Sequence, residues 1–161
     1  MKRTLLGMLL TSTLLLAASD TTHPRLQELK AYHSYFDLAK SGDVDAQTML
    51  GEMYLDGING VAVDHEKAFY WLSKAAAKND RQAQYLLGFM YENGLYVVRN
   101  MKRAVKWYKK AATGGNILAQ YNLALIYKEG KEGVGKNIHE AFKWLRMVEH
   151  AEDAVERTAM K

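Results

Sequence analysis

All three tryptophans of the chain, Trp71, Trp107 and Trp144, are spaced 36 and 37 residues apart. Other positions keep the same step: Ala46, Ala83 and Ala119, each followed by Gln; Tyr54, Tyr91 and Tyr127; Gly57, Gly94 and Gly130; Ala68, Ala104 and Ala141. Self-similarity at such a period means that each unit is one supersecondary element, unable to bury its apolar face alone and stabilised by stacking on its neighbours. The repeat therefore decides the fold, a stack of like supersecondary units.

Within one unit, Ala83, Leu87 and Tyr91 recur at spacing four and so share one face of a helix. Gly88 lies beside that face. Glycine inside a helix costs about 1 kcal/mol against alanine, so its use there points to two helices in close approach; the third unit has the small Ala124. Gly94 ends the first helix as a left-handed cap. After a short loop, Asp64, Asn100 or Asn137 takes the N-cap of a second helix. That helix carries Ala104, Trp107 and Ala111 and ends at Asn79 or Gly115, residues that tolerate positive φ.

The runs Ala-Gln-x-x-Leu-Gly-x-x-Tyr-x-x-Gly at 83–94 and Arg-Ala-x-x-Trp-x-x-Lys-Ala-Ala at 103–112 resemble the Sel-one-like repeat family, a relative of the tetratricopeptide repeat with a longer step and paired loop glycines. The resemblance implies an all-α fold, a right-handed α-solenoid of stacked antiparallel helix pairs. Repeats are placed at 46–82, 83–118 and 119–151, with a half-repeat at 26–45 whose Ala31, Ala39 and Gly42 register with Ala68, Ala76 and Asn79. Tyr96 departs from the pattern by replacing the second loop glycine. Val148-Glu149 replaces Ala-Ala in the last unit, and the polar stretch that follows fits a C-terminal cap at 152–161.

Residues 1–19 stand apart from the 20–161 repeat domain. Met1-Lys2-Arg3 is a basic start, Leu5–Leu16 is almost wholly apolar, and small residues follow at Ala17-Ala18-Ser19, which together read as a signal peptide cleaved after Ala18 or Ser19. The competing reading is an uncleaved anchor, but the apolar run falls well short of the roughly 20 residues a spanning helix needs. The chain has no Cys, which excludes a lipoprotein anchor, disulfides, thiolate zinc sites, iron–sulfur clusters and Cys nucleophiles. The expected location is periplasmic or secreted, without stable membrane insertion after cleavage.

Loss of Lys2 and Arg3 lowers the net charge from +4 to +2. The remainder is segregated: 7 basic and 11 acidic side chains over 20–98, 11 and 3 over 99–146, 2 and 4 over 147–161. This balance suits steering toward a partner of mixed charge and does not suit a nucleic-acid partner, which usually needs a more basic domain.

Motifs for chemistry are weak. Gly130-Lys-Glu-Gly-Val-Gly-Lys136-Asn137 approaches a phosphate-binding loop but lacks the terminal hydroxyl and a preceding strand, and it aligns with the repeat loop Gly57–Asp64. The five histidines, 23, 33, 65, 139 and 150, show no ligand spacing, and there is no Gly-x-Ser-x-Gly or Ser-x-x-Lys. Asp43 and Asp45 flank a helix start, where negative charge is favourable. No catalytic residue, cofactor or metal ligand is expected.

The resemblance implies a protein-binding scaffold whose first helices line a concave face. Positions three and six residues after the repeat alanine are expected to point away from the core; they are Met49, Leu86 and Asn122, and Glu52, Phe89 and Leu125. Leu86, Phe89 and Leu125 then form either an apolar anchor stripe or ordinary inter-helix packing. A second candidate surface is the basic helix with Lys102, Arg103, Lys106, Lys109 and Lys110; Lys102 and Arg103 stand in its first turn against the dipole preference. The three tryptophans are expected between neighbouring helices, with Trp107 of the central unit the most consequential. The functional expectation is an exported adaptor that binds another protein, from the envelope, a secretion system or an effector, without catalysis of its own. The alternatives are an immunity protein that neutralises a secreted toxic effector and, behind it, a hydrolase. Mass spectrometry of the exported protein should find Ser19 or Asp20 at its N-terminus; Met1 retained in the membrane fraction would refute the cleaved leader.

Overall fold

The computed structural model of the chain describes residues 24–159; the expected leader lies outside the described residues, as does the end of the expected cap. Among the described residues seven helices follow one another: α1 (Pro24–Ser41), α2 (Val44–Asp56), α3 (His65–Ala77), α4 (Arg81–Asn93), α5 (Met101–Thr113), α6 (Ile117–Glu129) and α7 (Ile138–Ala159). Each packs chiefly on its neighbours in sequence, as an α-solenoid requires. The pairs α2/α3, α4/α5 and α6/α7 are the repeated units, and α1 takes the place of a second helix before them.

The polar column residues set the helix boundaries. Asp64, Asn100 and Asn137 accept hydrogen bonds from the backbone N–H of Lys67, Arg103 and Glu140 at 2.9–3.0 Å, as expected of N-caps. The first helices are capped in the same way by Asp43, Asp80 and Asn116, which accept from Ala46, Ala83 and Ala119; each such cap is typically worth about 1 kcal/mol. The backbone N–H of each second-helix cap also donates to a carbonyl of the tyrosine column: Asp64 to Tyr54, Asn100 to Tyr91 and Asn137 to Tyr127, at 2.7–2.8 Å. The loop is thereby tied back across the hairpin. Gly57 and Gly94 take the left-handed conformation that lets the first helices stop. Tyr96 holds φ 64°, where the other units have Gly60 and Gly133. Its ring lies 5.7 Å from that of Phe69 and its hydroxyl donates to Glu66 at 3.3 Å.

Successive units are joined by the glutamine column. Buried Gln47, Gln84 and Gln120 each donate Nε2 to the carbonyl of Ala39, Ala76 or Ala112 at the end of the preceding second helix, at 3.0–3.3 Å. These carbonyls lie in a last turn, where the N–H four residues on no longer bonds to them, and each accepts as well from the N–H three residues on, of Gly42, Asn79 or Gly115. That Gln47 reaches Ala39 as Gln84 reaches Ala76 fixes the register of α1 as a second helix.

Close approach within a pair is set by Gly51 and Gly88. A Cβ on Gly88 would lie 2.5 Å from the ring of Tyr108, and one on Gly51 would run into the side chain of Leu72. The tryptophan column departs from expectation at the centre. Trp71 and Trp144 are buried, but Trp107 is only half-buried, with Lys110 Nζ 4.4 Å from its ring. Trp71 meets the ring of Phe36 edge-on at 6.1 Å. The residue of α3 in Phe36's register is Ser73, too short to cover an indole. Tyr108, fully buried in the groove left by Gly88, is the aromatic anchor of the central unit. In chemical denaturation Tyr108→Ala should cost roughly 3 to 5 kcal/mol, as large-to-small aromatic core changes do, and Trp107→Ala clearly less; a larger loss at Trp107 would contradict this assignment.

Candidate functional site

The first helices α4 and α6 lie on the same side of the stack and leave a groove of about 320 Å³ between them. Phe89, 36% exposed, and Leu125 supply its apolar surface, and Asn122 stands beside them. Three of the expected concave residues therefore come together. Leu86 does not join them: it is 8% exposed and belongs to the core. The reason is helical geometry. The position three residues after the repeat alanine is rotated only about 60° from it and so borders the core, where apolar Leu86 packs and polar Asn122 does not, whereas one six positions after is rotated about 120°. The expected continuous stripe of Leu86, Phe89 and Leu125 is thus reduced to two residues. In the first unit, Met49 packs on the core and Glu52 accepts a hydrogen bond from Gln82 at 2.9 Å; neither lines the groove.

Tyr85, Glu92 and Lys131 complete the site and were missed in the sequence. Tyr85, Phe89 and Glu92 stand at spacings of four and three on α4, one helical stripe that the repeat columns did not pick out. Lys131 comes from the loop after α6. Behind the groove Tyr108 donates its hydroxyl to Glu92 Oε2 at 2.6 Å, and Lys131 Nζ pairs with Glu92 Oε1 at 3.3 Å. Burial, reinforced by the bond to Glu92, pushes the Tyr108 hydroxyl well above its ordinary range. Burial likewise raises Tyr85, against an opposing hydrogen bond from Asn122. Both phenols are neutral donors at physiological pH. The groove presents two apolar side chains in a frame of fixed hydroxyl, amide and ammonium groups whose one carboxylate is already paired. Such a surface can hold a polypeptide segment by an apolar anchor and direct hydrogen bonds to its backbone.

The basic residues occupy another surface. Lys102, Arg103, Lys106, Lys109 and Lys110 are all exposed on α5, and none lines the groove. Three lie over rings: Arg103 over Tyr91 at 5.7 Å, Lys109 over Tyr127 at 5.3 Å and Lys110 over Trp107 at 4.4 Å. Among the described residues none of the five forms an ion pair. Their charge is thus available for steering, while their stems cover aromatic surface.

The glycine-rich run from Gly130 to Lys136 connects α6 to α7 and is closed by a bridge between Lys131 and Val134, so it follows a helix where a phosphate loop would follow a strand. Among the described residues no group of three or more His, Asp or Glu is placed to hold a metal ion, and no helix is long and apolar enough to cross a membrane. A second open recess, of about 470 Å³, lies along α3 and is walled by Phe69, Tyr70 and Tyr96. Glu66, Ser73 and Lys74 also line it, with Glu66 accepting from Tyr96 and Lys74 held over Tyr70 and Trp71.

Comparison with known proteins agrees with this architecture. Residues 44–80, 81–116 and 117–147 each match the Sel1 repeat. Among solved structures, the protective antigen c5321 of uropathogenic Escherichia coli, described as displaying an SLR fold, is 34% identical with a TM-score of 0.74, over 81% of this chain and 28% of that one. A Sel1 repeat protein from Oxalobacter formigenes is 32% identical with a TM-score of 0.67, over 74% of this chain and 89% of that one. Chitin synthase regulatory factor 4 of Schizosaccharomyces pombe is 31% identical over 36% of this chain and 9% of its own length. HRD3A of Arabidopsis thaliana, an ERAD-associated E3 ubiquitin-protein ligase component, is 36% identical over 35% and 8%. The chain thus spans less than a tenth of the length of these two curated relatives. The three matched repeats cover well over half of the sequence and coincide with the three helix pairs, and the chain belongs to the Sel1 repeat family.

Proposed function

We propose that the protein is an exported, non-catalytic adaptor that captures a segment of another protein in the groove between α4 and α6. The observation that carries this reading is the pairing of exposed Phe89 and half-buried Leu125 with the polar groups of Tyr85, Asn122 and Lys131. An apolar pair bordered by donors is a hot-spot arrangement: the anchors lose water on binding, and the frame orients the partner's backbone. The names of the relatives are in keeping with a role in assemblies, one being a regulatory factor and another a ligase component. The basic face of α5 supplies long-range attraction toward an acidic region of the same partner. The leader-like residues 1–19 support a periplasmic or secreted site of action.

A crosslinked pulldown from the periplasm supplies the partner, and variants then locate the interface. Phe89→Glu together with Leu125→Glu should leave helical circular dichroism and melting nearly unchanged while weakening capture at least tenfold, about 1.4 kcal/mol. Leu86→Glu should instead unfold the protein, since that residue is core. Reversal of Lys106 and Lys110 should slow association and flatten its salt dependence, with little effect on dissociation. Normal capture by the folded double variant would rule out the groove.

A further inference from the structure

We propose that α7 is a self-association surface, through which two copies of the chain pair antiparallel about a twofold axis near Phe142. The starting point is a comparison in register along the 37-residue step. Met101, Val105 and Tyr108 of α5 are buried under the next unit, in one core cluster with Ala119 and Leu123 of α6. Their counterparts on α7 are Ile138, Phe142 and Leu145. Met101 and Val105 are 2% and 7% exposed, whereas Ile138 and Phe142 are 42% and 63% exposed. Spacings of four and three make these residues one stripe, bordering an apolar recess of about 260 Å³ beside Lys128 and Ala141. Phe142 exposes an aromatic ring where α5 buries the smaller Val105, so this face carries more apolar surface than a stacked unit would bury there.

Two features identify the occupant. Where α3 and α5 carry the Ala75-Ala76 and Ala111-Ala112 pairs, over which the next first helix closes and to whose second carbonyl its glutamine donates, α7 has Val148-Glu149. The bulk and charge of that pair oppose a further unit seated in the same way. A helix that crosses at a greater distance, resting on Ile138, Phe142 and Leu145, meets no such obstacle. The second feature is charge. Lys128 and Lys136 lie beside the start of the face, and the sequence of its last turns is acidic, with Glu149, Glu152, Asp153 and Glu156. A parallel neighbour would set like charges together. An antiparallel copy sets Lys136 of each chain opposite Glu149 of the other, doubles every favourable pair by symmetry and opposes the helix dipoles. A second α7 supplies both the apolar stripe and the complementary charge.

Light scattering coupled to size exclusion, over a range of protein concentration in low salt, tests this. The purified protein should reach twice the chain mass in a concentration-dependent way, and Phe142→Glu should raise the dimer dissociation constant at least tenfold with unchanged circular dichroism. Lys136→Glu alone should weaken the dimer, and Lys136→Glu combined with Glu149→Lys should restore it, which a merely structural role for either residue would not produce. If Phe142→Glu does not fold, this charge swap decides by itself. Monomer mass at every concentration would overturn the proposal, as would a dimer indifferent to both the ring and the charge changes.

Discussion

The contact between Gly88 and the ring of Tyr108 joins the packing of the central unit to its surface chemistry. Because no side chain stands at position 88, α5 approaches α4 closely enough for the phenol to cross beneath it, and the hydroxyl emerges against Glu92. Glu92 in turn fixes Lys131 from the following unit. A methyl group at Gly88 would push Tyr108 aside by an ångström or more, in an interior with few voids to receive it. The groove would then lose the donor that holds its carboxylate. The first unit makes the same approach with Gly51 and Leu72, an aliphatic pair with no polar end. It builds an equivalent core without an equivalent site.

Between units the polar glutamines serve where apolar packing alone would leave register open. The interfaces are rich in alanine, and alanine surfaces slide at little cost. A glutamine whose buried Nε2 finds its acceptor in one carbonyl of the preceding helix removes that freedom, since a buried donor without a partner is penalised by about 1 to 3 kcal/mol. Ala39, Ala76 and Ala112 present that carbonyl at the same place in each turn. Caps and loop ties act at the other end of the hairpins, so the helices from α2 to α6 are fixed at their termini by hydrogen bonds and along their length by small side chains.

Much of this was legible in the sequence because repetition turns single residues into columns. The tryptophan, tyrosine and glycine steps gave the helix pairs, and the caps at Asp64, Asn100 and Asn137 lie where the pattern put them. What repetition could not convey was the difference between units. Trp107 shares a column with Trp71, yet its cover depends on Ser73 standing where α1 has Phe36, a neighbour in another column. Leu86 shares a column with Asn122, but rotation brings it toward the core, and an apolar side chain turns inward where an amide turns out. Tyr85, Glu92 and Lys131 were invisible because a site is made of departures from the repeat. Asp80 and Asn116 could have been found directly, since each follows the positive-φ residue that ends a second helix.

The placement of the two surfaces bears on how the protein would act. The groove draws on α4, α6 and the loop after α6, and no residue of α7 lines it. Pairing through α7 therefore leaves both grooves open. A partner that offers two copies of the captured segment would then bind its second groove intramolecularly, at an effective concentration set by the span between grooves, and avidity can exceed either single affinity by roughly 10² to 10⁴ without any new contact. A modest apolar anchor of two side chains is adequate under that arrangement and weak without it. Phe142→Glu, which leaves every groove residue in place, should thus reduce capture of a bivalent partner while leaving the affinity for a single isolated segment unchanged; an equal loss for both would show that α7 touches the partner directly.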